Sequence, residues 1–426
     1  MLRLLRFFLR GLAVALIMLG QFLIWLIGWL LLLLTFRGKA RRQAWFADRM
    51  RASLVSLGAT FVKVGQIMST RPDLLPPHII AALSHLQDNV GAFAYRHVER
   101  TFREELGRPP AELFTTFDPV PIASASVAQV HRAELPDGRA VAVKVRRPGL
   151  EHIVAFDLRV MRLVAWFVSL VPSLRLLAPV ESVDEFGRAI RAQIDLQDEA
   201  RNNQRFRANF AGNRDVDFPE LVPALCTRRI LTMSFIEGAK VLEVDRAAHD
   251  PVRLARVGFR TLLQMVFHDG FVHADLHPGN ILVTAAGTVV ILDLGLIAEL
   301  SDADRTAFAR YFAGWASGDG KVMARLMADL SPSARVPDYP AYEADVVAFA
   351  TRYLGKKLAE VQVSAVALDM MNILRRHRVR VNPTYTVCNI AIAVTEGIGK
   401  QLAPDLDLMV EALPFFMGTD TPQATT

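Results

Sequence analysis

His273, Asp275, Asn280 and Asp293 stand at a spacing that suits phosphoryl transfer. They lie in Phe-Val-His-Ala-Asp-Leu-His-Pro-Gly-Asn (271–280) and Ile-Leu-Asp-Leu-Gly (291–295). In a catalytic loop of the H-R-D-x-x-x-x-N type, the Asp reaches the acceptor and the Asn, after four intervening residues, binds a metal. Asp275 and Asn280 have that separation, and Asp293-Leu294-Gly295 follows where D-F-G would, with Asp293 as a second metal ligand for Mg2+. Ile281–Val283 and Val289–Leu292 are short apolar runs, so a small hairpin should join the two pieces. A surface turn followed by a strand would explain either piece alone. Their order together favours the chemical reading.

That chemistry needs a cation on the nucleotide phosphates. Val141-Ala142-Val143-Lys144 alternates as a strand does and matches V-A-I-K, which makes Lys144 the phosphate-binding lysine. Upstream, Pro121 to Leu135 reads as a strand-like run and Pro136-Asp137-Gly138-Arg139 as the hairpin turn to the next strand. The turn expected over the phosphates is built from Ala123, Ser124, Ala125 and Ser126 where kinases commonly place glycines. Alanine lets backbone N–H groups approach phosphate less freely than glycine does, so altered nucleotide handling is expected rather than none.

Taken together, these residues resemble the UbiB/ADCK (AarF-type) atypical kinases, a family linked to coenzyme Q and other isoprenoid lipids. Phe61-Val62-Lys63-Val64-Gly65-Gln66 is similar to its K-x-G-Q signature, followed by Ser69 to Pro76. Ala123–Ser126 is similar to its alanine-rich loop, and Val145-Arg146-Arg147-Pro148-Gly149 to the segment after its lysine. Gln193-Ile194-Asp195 and Glu199-Ala200-Arg201-Asn202 stand where the family has E-x-D and E-A-x-N. The resemblance runs from about Leu57 to Asp405. It implies ATP and Mg2+ as cofactors, Glu199 as the carboxylate paired with Lys144, and Lys63, Gln66, Gln193 and Asp195 as a regulatory set. Gln193 replaces the family's Glu and removes a charge, which leaves Asp195 as the expected partner of Lys63.

The implied fold is α+β and protein-kinase-like. It has a bilobal form with a small β-rich N-lobe carrying inserted helices, a helical C-lobe, and an N-terminal transmembrane helix with a helical extension. The expected divisions are 1–42, a basic-flanked anchor; 43–115, the extension with K-x-G-Q; 116–237, the N-lobe; and 238–426, the C-lobe. Apolar residues at three- and four-residue steps make 43–107, 151–171 and 181–212 helical, the last carrying Glu199. Ser301-Asp302-Ala303-Asp304 is a helix-capping signal, and 301–401 reads as mostly helical. So short a passage after Gly295, with no A-P-E, leaves no room for the segment on which protein kinases dock peptides. Ile390–Ile398 reads as core.

Composition narrows the partners. Residues 1–51 hold nine Arg/Lys against one Asp, so the rest carries 40 basic and 42 acidic residues. The net charge of +6 therefore belongs to the N-terminus, which speaks against a nucleic-acid groove. Gly11 to Phe36 contains no charged residue, and as a helix it would rise roughly 39 Å, enough for a single membrane span. The denser basic flank after it places the catalytic domain in the cytoplasm. Cys226 and Cys388 lie far apart, make neither a disulfide framework nor a zinc site, and are expected as buried apolar residues. His131, His273 and His277 are expected to serve as structural hydrogen-bonding residues.

The resulting expectation is a membrane-anchored ATPase or kinase supporting ubiquinone-type biosynthesis. Its partners would be a membrane lipid or isoprenoid quinone precursor and proteins of that synthesis. Two other readings remain open: an ATP-binding pseudokinase scaffold, and a small-molecule phosphotransferase of the aminoglycoside-kinase type.

Overall fold

The computed structural model describes residues 2–34, 38–69, 75–83, 85–86, 91–171, 179–331, 336–353, 363–379, 383–406 and 415. Residues 70–74 of the Ser69–Pro76 segment lie outside the described residues.

The chain forms two compact units, each described by itself. One comprises Met1–Gln197 and Pro223–Thr232, the other Asp198–Val222 and Met233–Thr426.

The first unit begins with helices α1 (Leu2–Leu34), α2 (Lys39–Leu57), α3 (Ala59–Ser69), α4 (Pro77–Leu83), α5 (Tyr95–Leu106) and α6 (Pro110–Leu113). Strands β1 (Thr116–Phe117), β2 (Ala123–Ser124), β3 (Ala128–Glu134) and β4 (Ala140–Arg146) follow, then α7 (Leu150–Ser169) and α8 (Pro179–Gln193). These strands and β6 (Ile230–Ser234) make one sheet in the order β1-β3-β4-β6, with β2 also on β3. The β3–β4 hairpin turns at Gly138, whose φ of 87° is a conformation that side chains disfavour. Asp137 stabilises the turn by accepting from the N–H of Arg139 at 3.1 Å.

Helix α3 carries the K-x-G-Q segment and fits only because its glycine lacks a side chain. A Cβ on Gly65 would lie 2.4 Å from Leu86 and 2.8 Å from Leu54. Gly65 thus serves close packing.

The apolar periodicity of 181–212 does not continue as one helix. It breaks at Ile194–Asp195, and α9 (Leu196–Asn209) starts afresh. Asp195 is the reason: its Oδ1 accepts from the N–H of Gln197 at 3.1 Å, the bond an N-cap makes.

In the second unit, β5 (Val216–Asp217), β7 (Ala239–Lys240), β9 (Ile281–Val283) and β10 (Val289–Ile291) form a sheet in the order β5-β10-β9-β7. β8 (Phe271–His273) pairs with β11 (Ile297–Glu299). The hairpin expected after Asn280 is present as β9 and β10, with Ile281 opposite Ile291. Helices α10 (Pro251–Leu263), α11 (Asp302–Ser317), α12 (Gly320–Asp329), α13 (Tyr339–Tyr353), α14 (Val363–Arg376) and α15 (Pro383–Leu402) supply the bulk of the core. The capping signal before α11 is a reciprocal box: Asp304 N–H donates to Ser301 Oγ, and Ser301 N–H to Asp304 Oδ2, both at 3.1 Å. Ala391, Ile392 and Ile398 of α15 are buried in this core, as their apolar run implied. Cys388 is buried there too, and burial pushes its thiol up to about 12. Cys226 corrects the expectation for both cysteines. It is half-buried, with its Sγ 3.4 Å from the carbonyl of Thr232.

Candidate active site

In the second unit, β8 delivers His273 into a fully buried position while Asp275, two residues on, is exposed. Burial holds the His273 imidazole below its ordinary pKa, so the ring is neutral. Its Nδ1 accepts from the N–H of Asp275 at 3.1 Å, and Nε2 lies 3.0 Å from the carbonyl oxygen of Asp293. These partners assign the proton to Nε2. One ring therefore ties the main chain of the catalytic loop to that of Asp-Leu-Gly, the bracing role expected of it. Asn280 closes the loop from the other end, its Nδ2 donating to the carbonyl of Asp275 at 3.1 Å. His277 Nδ1 accepts from the N–H of Gly279 at 3.1 Å, which is also a structural use.

Asp293 is exposed and has φ of 47°, a conformation uncommon outside glycine and concentrated at functional sites. It is not alone. A Cβ built on Gly295 would lie 3.3 Å from Asp293 Oδ1 and 3.8 Å from Glu199 Oε2, so both carboxylates face the same glycine. Glu199 itself is buried, on α9. One turn along that helix, Asn202 Nδ2 donates to the carbonyl of Leu294 at 2.9 Å. The Glu-Ala-Arg-Asn segment thus fastens α9 to Asp-Leu-Gly. Asn202 was missed as a site residue, although its position three residues after Glu199 puts the two on one helix face. Among the described residues, no group of three or more His, Cys, Asp or Glu side chains could by itself hold a metal ion.

The first unit holds the remaining expected residues. Lys144 is half-buried on β4, opposite Val130 of β3. Ala123 and Ser124 are strand residues paired with Val130 and Gln129, and Ala125 N–H donates to the carbonyl of Ala128 at 2.8 Å. The Ala-Ser loop is therefore a tight, paired turn. Arg147 clamps it: Nε donates to the carbonyl of Ala125 at 2.8 Å, Nη2 to Ser124 Oγ at 3.0 Å, and its own N–H to the carbonyl of Val127 at 2.8 Å. No sequence signal identified Arg147 as the clamp. His131 stabilises the strands behind the loop, with Nδ1 2.8 Å from the carbonyl of Asp118 and Nε2 2.8 Å from Gln129. Burial lowers its pKa.

Lys63 lines a small cavity with Thr60, Ser126 and Gln193. Thr60 Oγ1, Ser126 Oγ and Gln193 Oε1 are buried there without a hydrogen-bond partner. Gln66 Nε2 donates to the carbonyl of Leu86 at 3.1 Å. The carboxylate of Asp195, besides capping α9, accepts from Arg228 Nε at 2.8 Å. The structure thus gathers Lys63, Gln193 and Ser126 in one unit, and Glu199, Asp275, Asn280 and Asp293 in the other.

Residues 85–327 match the ABC1 atypical kinase-like domain, and residues 346–407 match the UbiB helical domain. The chain belongs to the UbiB-type atypical kinases. Among curated UbiB relatives, the "Probable protein kinase UbiB" of Cellvibrio japonicus is 35% identical over 396 residues, covering 90% of this chain and 71% of its own. That of Aliivibrio fischeri is 33% identical over 377 residues, covering 86% and 69%. The fold is also that of Rv3197 of Mycobacterium tuberculosis, solved with erythromycin. It has a TM-score of 0.54 and 22% identity, covering 84% of this chain and 92% of that one.

Proposed function

We propose that this UbiB-type protein binds MgATP and turns it over at a membrane surface in support of isoprenoid quinone synthesis of the ubiquinone type. The observation that carries the reading is the bracing of Asp275 and Asp293 by one buried, neutral His273. A surface turn has no need of that bond pattern. A phosphoryl-transfer site needs both carboxylates held at fixed positions.

Asn280 and Asp293 fit a magnesium ion, which takes one or two protein oxygens and completes its shell with phosphate and water. When bound, the ion neutralises charge on the phosphate oxygens. Because Asn280 commits its Nδ2 to Asp275, its Oδ1 is the atom available to the cation. Asp275 orients the acceptor hydroxyl or water and takes its proton. Lys144 neutralises the α- and β-phosphates, and Glu199 keeps the carboxylate role that the family resemblance gives it. The Ala123–Ser126 turn covers the phosphates with few free N–H groups, which favours slow, regulated turnover. Lys63, Gln66, Gln193 and Asp195 form the regulatory set.

Arg10–Leu31 of α1 is long and apolar enough to cross a membrane, and we assign to α1 the attachment of the chain to one. ATP then requires the catalytic residues on the cytoplasmic side. Lipid or quinone-precursor acceptors, with the proteins that make them, are the partners this attachment favours.

Lys144→Ala and Asp293→Asn should each abolish ATP turnover on lipid vesicles while the protein stays folded. Unchanged turnover would sink the assignment. MgATP binding without turnover in the parent protein would instead mark a nucleotide-binding scaffold.

A further inference from the structure

Resting on the assignment of α1 as the attaching element, we propose that α1 lies along the membrane interface and does not cross the bilayer. Its apolar face would continue onto the end of α7 as one lipid-contacting surface.

Two faces of α1 are distinguishable within the first unit. Arg10, Val14, Ile17, Gln21, Trp25 and Gly28, at three- and four-residue steps, pack inward. Arg10 pairs with the buried Asp157 of α7 at 2.9 Å. Val14 and Ile17 join a cluster with Leu57, Phe61, Val160 and Met161. Gln21 donates to Ser56 at 3.1 Å and Trp25 to Ser53 at 3.2 Å. A Cβ on Gly28 would clash with Trp45. Hence α2 runs back antiparallel along α1 from residue 28 to residue 21, while α7 runs parallel to it from residue 10 onward.

This packing conflicts with a crossing. Helix α2 carries Lys39, Arg41, Arg42, Asp48, Arg49 and Arg51. If residues 10–31 stood across the bilayer, these charges would enter the hydrocarbon beside it, where each is disfavoured. Laid in the interface, the same hairpin keeps its charges at headgroup level.

The opposite stripe of α1 is open. Leu12, Leu16, Leu19, Leu23, Ile27 and Leu30 are all exposed. Level with its middle, the last turns of α7 present Leu163, Trp166, Phe167 and Leu170, each between 51% and 60% exposed. So apolar a patch on two adjoining helices marks an interaction surface. Its depth is limited by neighbouring charge: Arg162 of α7 pairs with Asp184 of α8 at 3.3 Å, and Glu181 lies one turn nearer the tip. These groups suit the headgroup layer and exclude the bilayer centre. The basic residues of α1 and α2 complement anionic lipid, which commits the occupant to a bilayer surface.

The test uses the full chain on phosphatidylcholine–phosphatidylglycerol vesicles whose acyl chains carry bromine either near the headgroup or deep. Two variants keep a single tryptophan, Trp29 or Trp166, with the other four changed to Phe. In parallel, Leu2→Cys and Lys39→Cys, each in a Cys226→Ser, Cys388→Ala background, meet a membrane-impermeant maleimide. The expected result is loss of most emission from both tryptophans, stronger with shallow bromine, and labelling of both cysteines from outside. Deep quenching of Trp29, with Leu2→Cys protected and Lys39→Cys labelled, would overturn the in-plane placement. Quenching of Trp29 alone would remove α7 from the surface. If neither tryptophan is quenched, the attachment assignment itself fails. Concentration-dependent self-association with Trp166 unquenched would make a second copy the occupant, which also overturns the proposal.

Discussion

The Ala-Ser loop of the first unit and the catalytic loop of the second are held in place by opposite means. Arg147, a flexible and half-buried side chain, reaches over the Ala-Ser loop and grips it through two side-chain hydrogen bonds. His273, a rigid and fully buried ring, sits beneath the catalytic loop and joins two stretches of main chain. A clamp on a long side chain can open without disturbing the sheet below it. A ring inside the core cannot move unless the strand that carries it moves. The first-unit loop is thus held adjustably and the second-unit loop rigidly.

His273→Ala puts that contrast to its harshest test. It removes both ties at once, and a loop displaced by about 1 Å is expected to lose on the order of 10²-fold in ATP turnover. Steady-state kinetics on vesicles would reveal it. Turnover within about threefold of the parent would mean that the two aspartates hold position without the ring.

Arg147→Ala should act on affinity and leave the chemical step nearly intact. Loss of two loop hydrogen bonds, each worth about 1 kcal/mol, predicts a KM for ATP roughly thirtyfold higher with kcat little changed. Arg147→Lys should restore only part of this, since an ammonium lacks the planar fork that reaches both acceptors. A fall in kcat equal to the rise in KM would remove the distinction between the two loops.

The smallest expected effect concerns the support behind β8. Asp269 ends the π-helical turn before that strand, and burial pushes its carboxyl up to about 6, with one oxygen lacking a partner. In the unfolded chain the group titrates near 3.9. Below about pH 4 it is protonated in both states and costs nothing; as pH rises through about 6 the folded state comes to carry an unfavourable charge. Asp269→Asn should therefore stabilise the protein by about 1 kcal/mol above pH 6, after allowance for solvent screening, and by little below pH 4. Thermal melts across that range would measure it. A loss of stability at pH 8 would assign Asp269 a needed charge and tie the fixed loop to it.

What the sequence disclosed follows from locality. Asp275, Asn280 and Asp293 sit within a single loop and hairpin, so their spacing nearly determines their geometry, and β9 and β10 appear where the apolar runs place them. The helices of the second unit were equally legible from periodicity and from the capping box at Ser301. Arg147 and Asn202 were not, because their bonds to the main-chain carbonyls of Ala125 and Leu294 leave no side-chain signature. The break between α8 and α9 was masked by apolar positions that keep their period across it. Asp195 carried the stop signal, as an N-cap, in a motif that drew attention to its charge instead. Gly65 is a similar case: its need for closeness to Leu54 and Leu86 is visible only once α2 and the chain after α4 have met α3.

The left-handed backbone of Asp293 has a pharmacological consequence. Swinging the Asp-Leu-Gly segment out of place would break the bond from His273 to the Asp293 carbonyl and that from Asn202 to the Leu294 carbonyl, leaving the buried ring N–H with the longer 3.4 Å contact to the Leu292 carbonyl. A selective inhibitor of this protein should therefore be sought among molecules that take the segment as it stands.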